Sequence, residues 1–336
     1  MTPLLPTTRS RNLCMLFALM LIALIAACTS TTPANTGTNG NDDNNSGITA
    51  APTRESTIPN DAVKMTPTTD RSPPVLHSSE FEQPVSLPST INTAGAEDSP
   101  FITPDGSTLY FFFTPDVRVP VTQQLFDNVT GIYVSRKSGD VWGAAYRIVL
   151  QDAGRLALDG CEFVDGTTMW FCSAREGYEG IHWFTAQYTS GRWTNVANSD
   201  FPASYEVGEL HIYGDELYYH SPRSGGAGGL DVWVSQRTAN GWQEPMNVAA
   251  INTDANEGWP YVSSDGSELW FLRTYLGTPA LYRSLKINGA WGTPELIVSQ
   301  FAGEPTLDDA GNLYFVHHYY RDNNMIEADI YFAKKK

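Results

Sequence analysis

Trp142, Trp193, Trp242 and Trp291 recur about every 50 residues, each just after a turn glycine (Gly139, Gly191, Gly241, Gly289). A strand-like run precedes each: Gly131–Arg136, Ile181–Thr185, Asp231–Arg237 and Ala280–Ser284, with a fifth copy at Asp329–Ala333. Further upstream in every unit lies a hairpin: Phe101–Phe112, Cys161–Cys172, Leu210–Tyr219, Tyr261–Phe271 and Thr306–Phe315. The recurring Asp-Gly at these turns supplies the positive φ that tight hairpins need. The flanking aromatic and β-branched residues suit pleated, half-buried strands. A repeat of this length built from strand, turn, strand, loop, strand, Gly-Trp turn and strand specifies four-stranded antiparallel blades.

Five hairpins predict an all-β, five-bladed β-propeller over residues 81–336. The blades fall at about 97–150, 157–200, 205–250, 256–299 and 303–336. The fifth unit stops after its third strand. Gln83–Leu87 followed by Ile91-Asn92-Thr93 matches Glu244–Val248 followed by Ile251-Asn252-Thr253, so residues 83–90 are expected to complete the last blade. Such closure removes exposed sheet edges.

The units resemble WD40-like or PD40 repeats of TolB-type propellers, most clearly in Thr103-Pro104-Asp105-Gly106 with Leu109-Tyr110-Phe111, and in Ser221–Trp233. The resemblance covers about residues 83–336 and implies binding and scaffolding. Ala310-Gly311 and Gly214-Asp215 depart from the Asp-Gly turn, and the first blade carries an insertion between Thr114 and Thr130.

Ahead of the repeats, Arg9 and Arg11 precede an apolar run from about Leu13 to Ala27. That run is short of the roughly 20 apolar residues a spanning helix needs, and it reads as a secretion signal, residues 1–27. Leu24-Ile25-Ala26-Ala27-Cys28 looks like a bacterial lipobox with Cys28 as the lipidated residue. The alternatives are an ordinary signal peptide and an anchor that stays on. Residues 28–80, rich in Thr, Asn, Pro and Ser, read as a disordered tether. The chain is thus expected to be an exported, membrane-anchored lipoprotein facing periplasm or cell surface. Thr29 after the cysteine is compatible with an outer surface. Loss of residues 1–27 removes Arg9 and Arg11 and no acid, taking the formal charge from −16 to −18. So acidic a chain excludes nucleic acid and anionic lipid as partners.

Cys161 and Cys172 sit opposite each other if the turn centres on Gly166 and Thr167, which outside the cytoplasm favours a disulfide over two free thiols.

Candidate site residues follow from propeller topology. Glu97, Asp159, Glu209, Glu257 and Glu304 lie at the start of the inner strands and should surround one mouth of the channel. Arg175, Arg223 and Arg273 follow the second strands on the same face, with Arg321 more distant. These charges either pair and pin their own loops or bind a ligand. Trp259 does not recur and is the aromatic expected to contact a ligand. A ring of acids could hold Ca²⁺, but no compact metal loop, zinc motif or nucleophile elbow is present. The leading expectation is a noncatalytic binding or scaffold module for an envelope protein, a cell-wall polymer or a glycan. The alternative is a glycoside hydrolase using the carboxylates at the channel mouth.

Overall fold

The structure, a computed structural model, describes residues 52–336. The signal segment 1–27, Cys28 and the first part of the expected tether lie outside the described residues. Among the described residues no helix is long and apolar enough to cross a membrane.

Antiparallel pairing groups the main strands into five four-stranded units, the first and fifth joined into one sheet by a parallel bridge between Ala96 and Ala328. The first comprises Ala96–Ile102, Thr108–Thr114, Gly131–Ser138 and Tyr146–Arg147; the second, Ala157–Asp165, Thr168–Arg175, His182–Thr189 and Arg192–Asn198. Leu210–Tyr213, Glu216–Ser221, Asp231–Thr238 and Met246–Asn247 make the third. The fourth is Glu257–Val262, Glu268–Tyr275, Thr278–Ile287 and Glu295–Ser299. The fifth joins Ala302–Leu307, Leu313–Arg321 and Asn324–Ala333 to Val85–Ser86. The five inner strands touch one another in cyclic order, the fifth returning to the first. That is a closed propeller. Each inner hairpin turns on a glycine at positive φ: Gly106, Gly166, Gly214, Gly266 and Gly311.

The ring is fastened as the repeat predicts. Val85 pairs with Phe332 and Ser86 with Tyr331. The Ile-Asn-Thr motif supplies the lock. Asn92 donates to the Ile330 carbonyl at 2.9 Å and accepts from its N–H at 3.0 Å, imitating one more strand residue. Asn252 does the same to Val232, at 2.8 and 2.9 Å.

The recurrent tryptophans are packing residues. Trp291 meets Tyr218 of the preceding blade edge-on at 6.2 Å, and Trp193 meets Tyr110 likewise. Lys137, Arg237 and Lys286 cover Trp142, Trp242 and Trp291 at 4.5–5.0 Å. Fully buried Trp270, Phe111, Phe171, Phe271 and Phe315 fill the blades. Large side chains of this kind contribute about 1.5–3 kcal/mol each.

Residues 52–80 correct the tether reading. Arg54 is buried, donates to the carbonyls of Ile91 at 2.6 Å and Thr90 at 3.1 Å, and lies over Phe111, Phe113 and Tyr133. Lys64 bridges Glu327 and Asp329. Asp70 meets His317 at 2.9 Å, and Val75–Leu76 adds a strand to the outside of the fourth blade. Composition missed this because a few charged residues with buried partners, and one edge pairing, hold the segment down without an aromatic of its own.

The structure joins Cys161 to Cys172, with Cα atoms 5.5 Å apart. They are not directly opposed: Cys172 pairs with Gly160, and the register shifts between Gly160 and Phe163.

Candidate functional site

That register shift is general. The inner strands of the first, second, fourth and fifth blades slip at Asp98–Phe101, Gly160–Phe163, Gly258–Tyr261 and Gly303–Thr306. At each slip one non-glycine residue has positive φ: Ser99, Cys161, Trp259 and Glu304, at 47–54°. Bulges of this kind re-aim side chains, and a left-handed non-glycine residue stores roughly 1–3 kcal/mol. Here they line the central cavity, together with Glu209 at the matching place in the third blade.

The bulge separates the predicted acids into two groups. Glu97, Asp159 and Glu257 occupy one position, and all three are structural. Glu257 accepts from Thr253 N at 3.1 Å, Thr253 Oγ1 at 2.6 Å and Arg273 Nε at 2.8 Å. Glu97 repeats this with Thr93, Arg54 standing 3.5 Å away in place of the arginine of its own blade. Burial pushes Glu97 up to about 8 against the pull of Arg54 and Thr93. Asp159 takes Ser173 at 2.6 Å and Arg175 at 2.7 Å. Arg175 and Arg273 are therefore pinning partners of acids rather than ligand contacts. Arg223 corrects the expected pairing within the third blade: it bonds Glu244 and covers Trp233, leaving Glu209 to the cavity.

Two residues further on, Glu209, Trp259 and Glu304 line the cavity. Glu162, which the sequence reading passed over, joins them, and Asp98 and His318, also passed over, stand close to Glu304. Asp98 is buried beside the bulge, in the position held by Gly160, Gly208, Gly258 and Gly303 in the other blades. A Cβ at Gly208 would fall 2.3 Å from His220, and one at Gly160 or Gly303 would stand 3.1 Å from Phe112 or Leu272, tighter than ordinary contact. Glu162 takes the place of Pro100, Leu210, Pro260 and Pro305. His318, where the second and fourth blades carry Ala174 and Thr274, stands 3.4 Å from Asp98. Aligning the five inner strands on their glycines would have exposed the first two, since each breaks an otherwise repeated residue type.

Beneath these groups the channel is plugged. His211 lies between Phe163 and Tyr261, with both ring separations 4.6 Å, and Phe163 meets Phe101 at 5.3 Å. Desolvation holds His211 at about 3, so it is neutral. The result is a cup, not a tunnel, of about 50 Å³, room for a few waters or an ion. A larger ligand must lie above it, against Trp259. The Trp259 ring leans on His220 at 4.6 Å, and its indole N–H has no partner among the described residues.

The cup is electrostatically frustrated. Burial pushes Glu162 well above the usual carboxylate range, and Glu209, Asp98 and Asp159 push further. Glu209 rises to about 8 through desolvation, opposed by Trp259 and reinforced by Asp98. Glu304 is raised well above its ordinary value by burial, then by Asp98 and Glu209, with Ser99 pulling the other way. Like charges crowded in one dry site cannot all ionise, so protons are retained at neutral pH. Retained carboxyl protons next to an ionised partner are the raw material of general acid catalysis.

No protein-family model matches the sequence, and no curated protein matches it. The fold resembles several solved propeller-type enzymes. An endo-arabinase from Bacteroides thetaiotaomicron shares 13% identity over 75% of this chain and 96% of its own, with a TM-score of 0.44. GH43B of the Bacteroides ovatus xyloglucan locus shares 12%, with a TM-score of 0.43; the match covers 74% of this chain and spans 54% of that one. A GH62 hydrolase solved with xylotriose shares 11% over 71% of this chain and 91% of its own, with a TM-score of 0.40. Likeness at this level is one of fold. The expectation of a noncatalytic module is nevertheless corrected. It rested on finding no cluster of acids that breaks the repeat, and Glu162, Glu209 and Glu304 in one cavity are such a cluster.

Proposed function

We propose that the chain is a glycoside hydrolase whose cup works on a glycosidic bond held over the channel mouth. The observation that carries this is the set of Glu162, Glu209 and Glu304 in one cavity, with Asp98 close to Glu304 behind it and all three cavity carboxyls driven upward by desolvation and repulsion. Glu209, half-buried beside Trp259, is the proton donor to the leaving oxygen. Glu304, backed by Asp98 and His318, supplies the negative charge that faces positive charge developing on the sugar. Trp259 offers an apolar face for a sugar ring beside Glu209.

Arabinan, xylan and xyloglucan are the first substrates to try, because the similar structures bear those names. Reducing-end release by the purified chain should fall by about 10²–10⁴-fold in Glu209→Gln, with the melting temperature retained. Release unchanged in that variant, or none from any glycan, contradicts the assignment.

The PD40-type repeat remains our reading of the blade sequence, and the lipobox our reading of the N-terminus. We accordingly place the enzyme at the cell envelope, tethered through Cys28, with glycan as its partner. Metabolic labelling with a fatty acid should mark the chain and fail in Cys28→Ala; equal labelling of both overturns the anchor.

A further inference from the structure

Two features of the cup go beyond an accumulation of acids. Glu162 is only 6% exposed, and neither of its carboxylate oxygens has a partner among the described residues; the buried Oε2 of Glu304 also lacks one. Asp98, Glu304 and His318, drawn from two adjoining blades, present one ligand atom each, all within 4.8 Å of one another. We propose that Asp98, Glu304 and His318 form a binding site for a first-row divalent cation, with Glu162 as a further oxygen donor in the same cavity.

The geometry is close to what such an ion needs. Metal bonds from imidazole and carboxylate run at about 2.0–2.2 Å, so two ligand atoms of one ion stand at most about 4.4 Å apart. Small side-chain rotations close the remaining few tenths. The cup has room for the ion and a water or two. Its chemistry also selects. Calcium and magnesium take oxygen ligands, whereas an imidazole beside carboxylates suits zinc or manganese. The ion favoured here is therefore zinc or manganese, in place of the Ca²⁺ that a ring of acids alone suggests.

Charge balance supports the assignment. Without a cation, both oxygens of Glu162 and Oε2 of Glu304 are buried with no hydrogen-bond partner among the described residues. A divalent ion would supply the missing positive charge, and because its ligands bind it deprotonated, affinity should fall as pH falls. Glu209 and Trp259 stay outside the ligand set. The inference does not depend on hydrolysis. A chain that binds the ion and cleaves no glycan keeps this site and refutes the proposed function.

The test is titration calorimetry on the purified, chelator-stripped chain with zinc, manganese and calcium chlorides in turn. One zinc or manganese per chain is expected, with calcium at least tenfold weaker. Asp98→Asn and His318→Gln should each weaken binding at least tenfold while melting cooperatively without metal. His182→Gln removes the exposed imidazole that contacts Asp200 at 2.7 Å, and should change nothing. Undiminished binding in His318→Gln, loss only in His182→Gln, or no binding at millimolar metal each overturns the proposal.

Discussion

Replacing Glu162 by glutamine should make the protein more stable at neutral pH and change the slope of its pH dependence. In the folded chain this carboxyl is buried, unpartnered and raised well above its ordinary value, so it holds its proton where the unfolded chain has released it. A group of this kind contributes stability that is complete below its unfolded value. That stability drains away as pH rises towards the folded one. Each pH unit inside the window costs about 1.4 kcal/mol per retained proton. As pH rises above the ordinary carboxylate value the wild-type chain therefore loses stability through Glu162, a loss the glutamine avoids. Urea unfolding of both proteins at three pH values, with chelator present, measures it. The curves should diverge with rising pH, the variant gaining. Parallel curves would show that Glu162 is ionised in the folded cup, and the proton-sharing argument would fail.

Other expectations concern the frame. Arg273→Met strands Glu257 in a fully buried site and should cost about 3–5 kcal/mol, read as a lowered urea midpoint; a shift of under 1 kcal/mol would make the pair ornamental. Deleting residues 83–90 removes the Val85–Ser86 pairing and exposes the Asn324–Ala333 edge. The product should aggregate or lose cooperative unfolding, and a monomeric, cooperative transition would show closure to be dispensable. Reducing the Cys161–Cys172 bridge, which closes a short loop, should lower stability by about 2–3 kcal/mol; an unchanged mass on adding reductant would show that no bridge forms.

The blade architecture was legible because its signals are local. Glycines at hairpin turns, alternating aromatics and the Ile-Asn-Thr lock each act within a few residues, and repetition identifies them. The site was only half legible. Glu209, Trp259 and Glu304 were found from topology, yet Glu97, Asp159 and Glu257 seemed their equals, because sequence spacing does not show which side of a bulge faces the axis. Two positions along the same strand separate an acid held by Thr253 and Arg273 from one left open to the cavity. Asp98 was hidden by its neighbour Glu97, and His318 by the expectation that arginine would follow the second strand. The ordered run 52–80 escaped because Arg54 and Lys64 find their partners far along the chain, in contacts no composition window detects.

The measurement closest to the central claim is the pH dependence of kcat/KM for glycan cleavage, compared between wild type and Glu209→Gln. Loss of the Glu209 proton should impose a basic limb near its raised value of about 8, and the residual rate of the variant should lack that limb. A limb that persists in Glu209→Gln, or a chain that cleaves no glycan at any pH, would contradict the account.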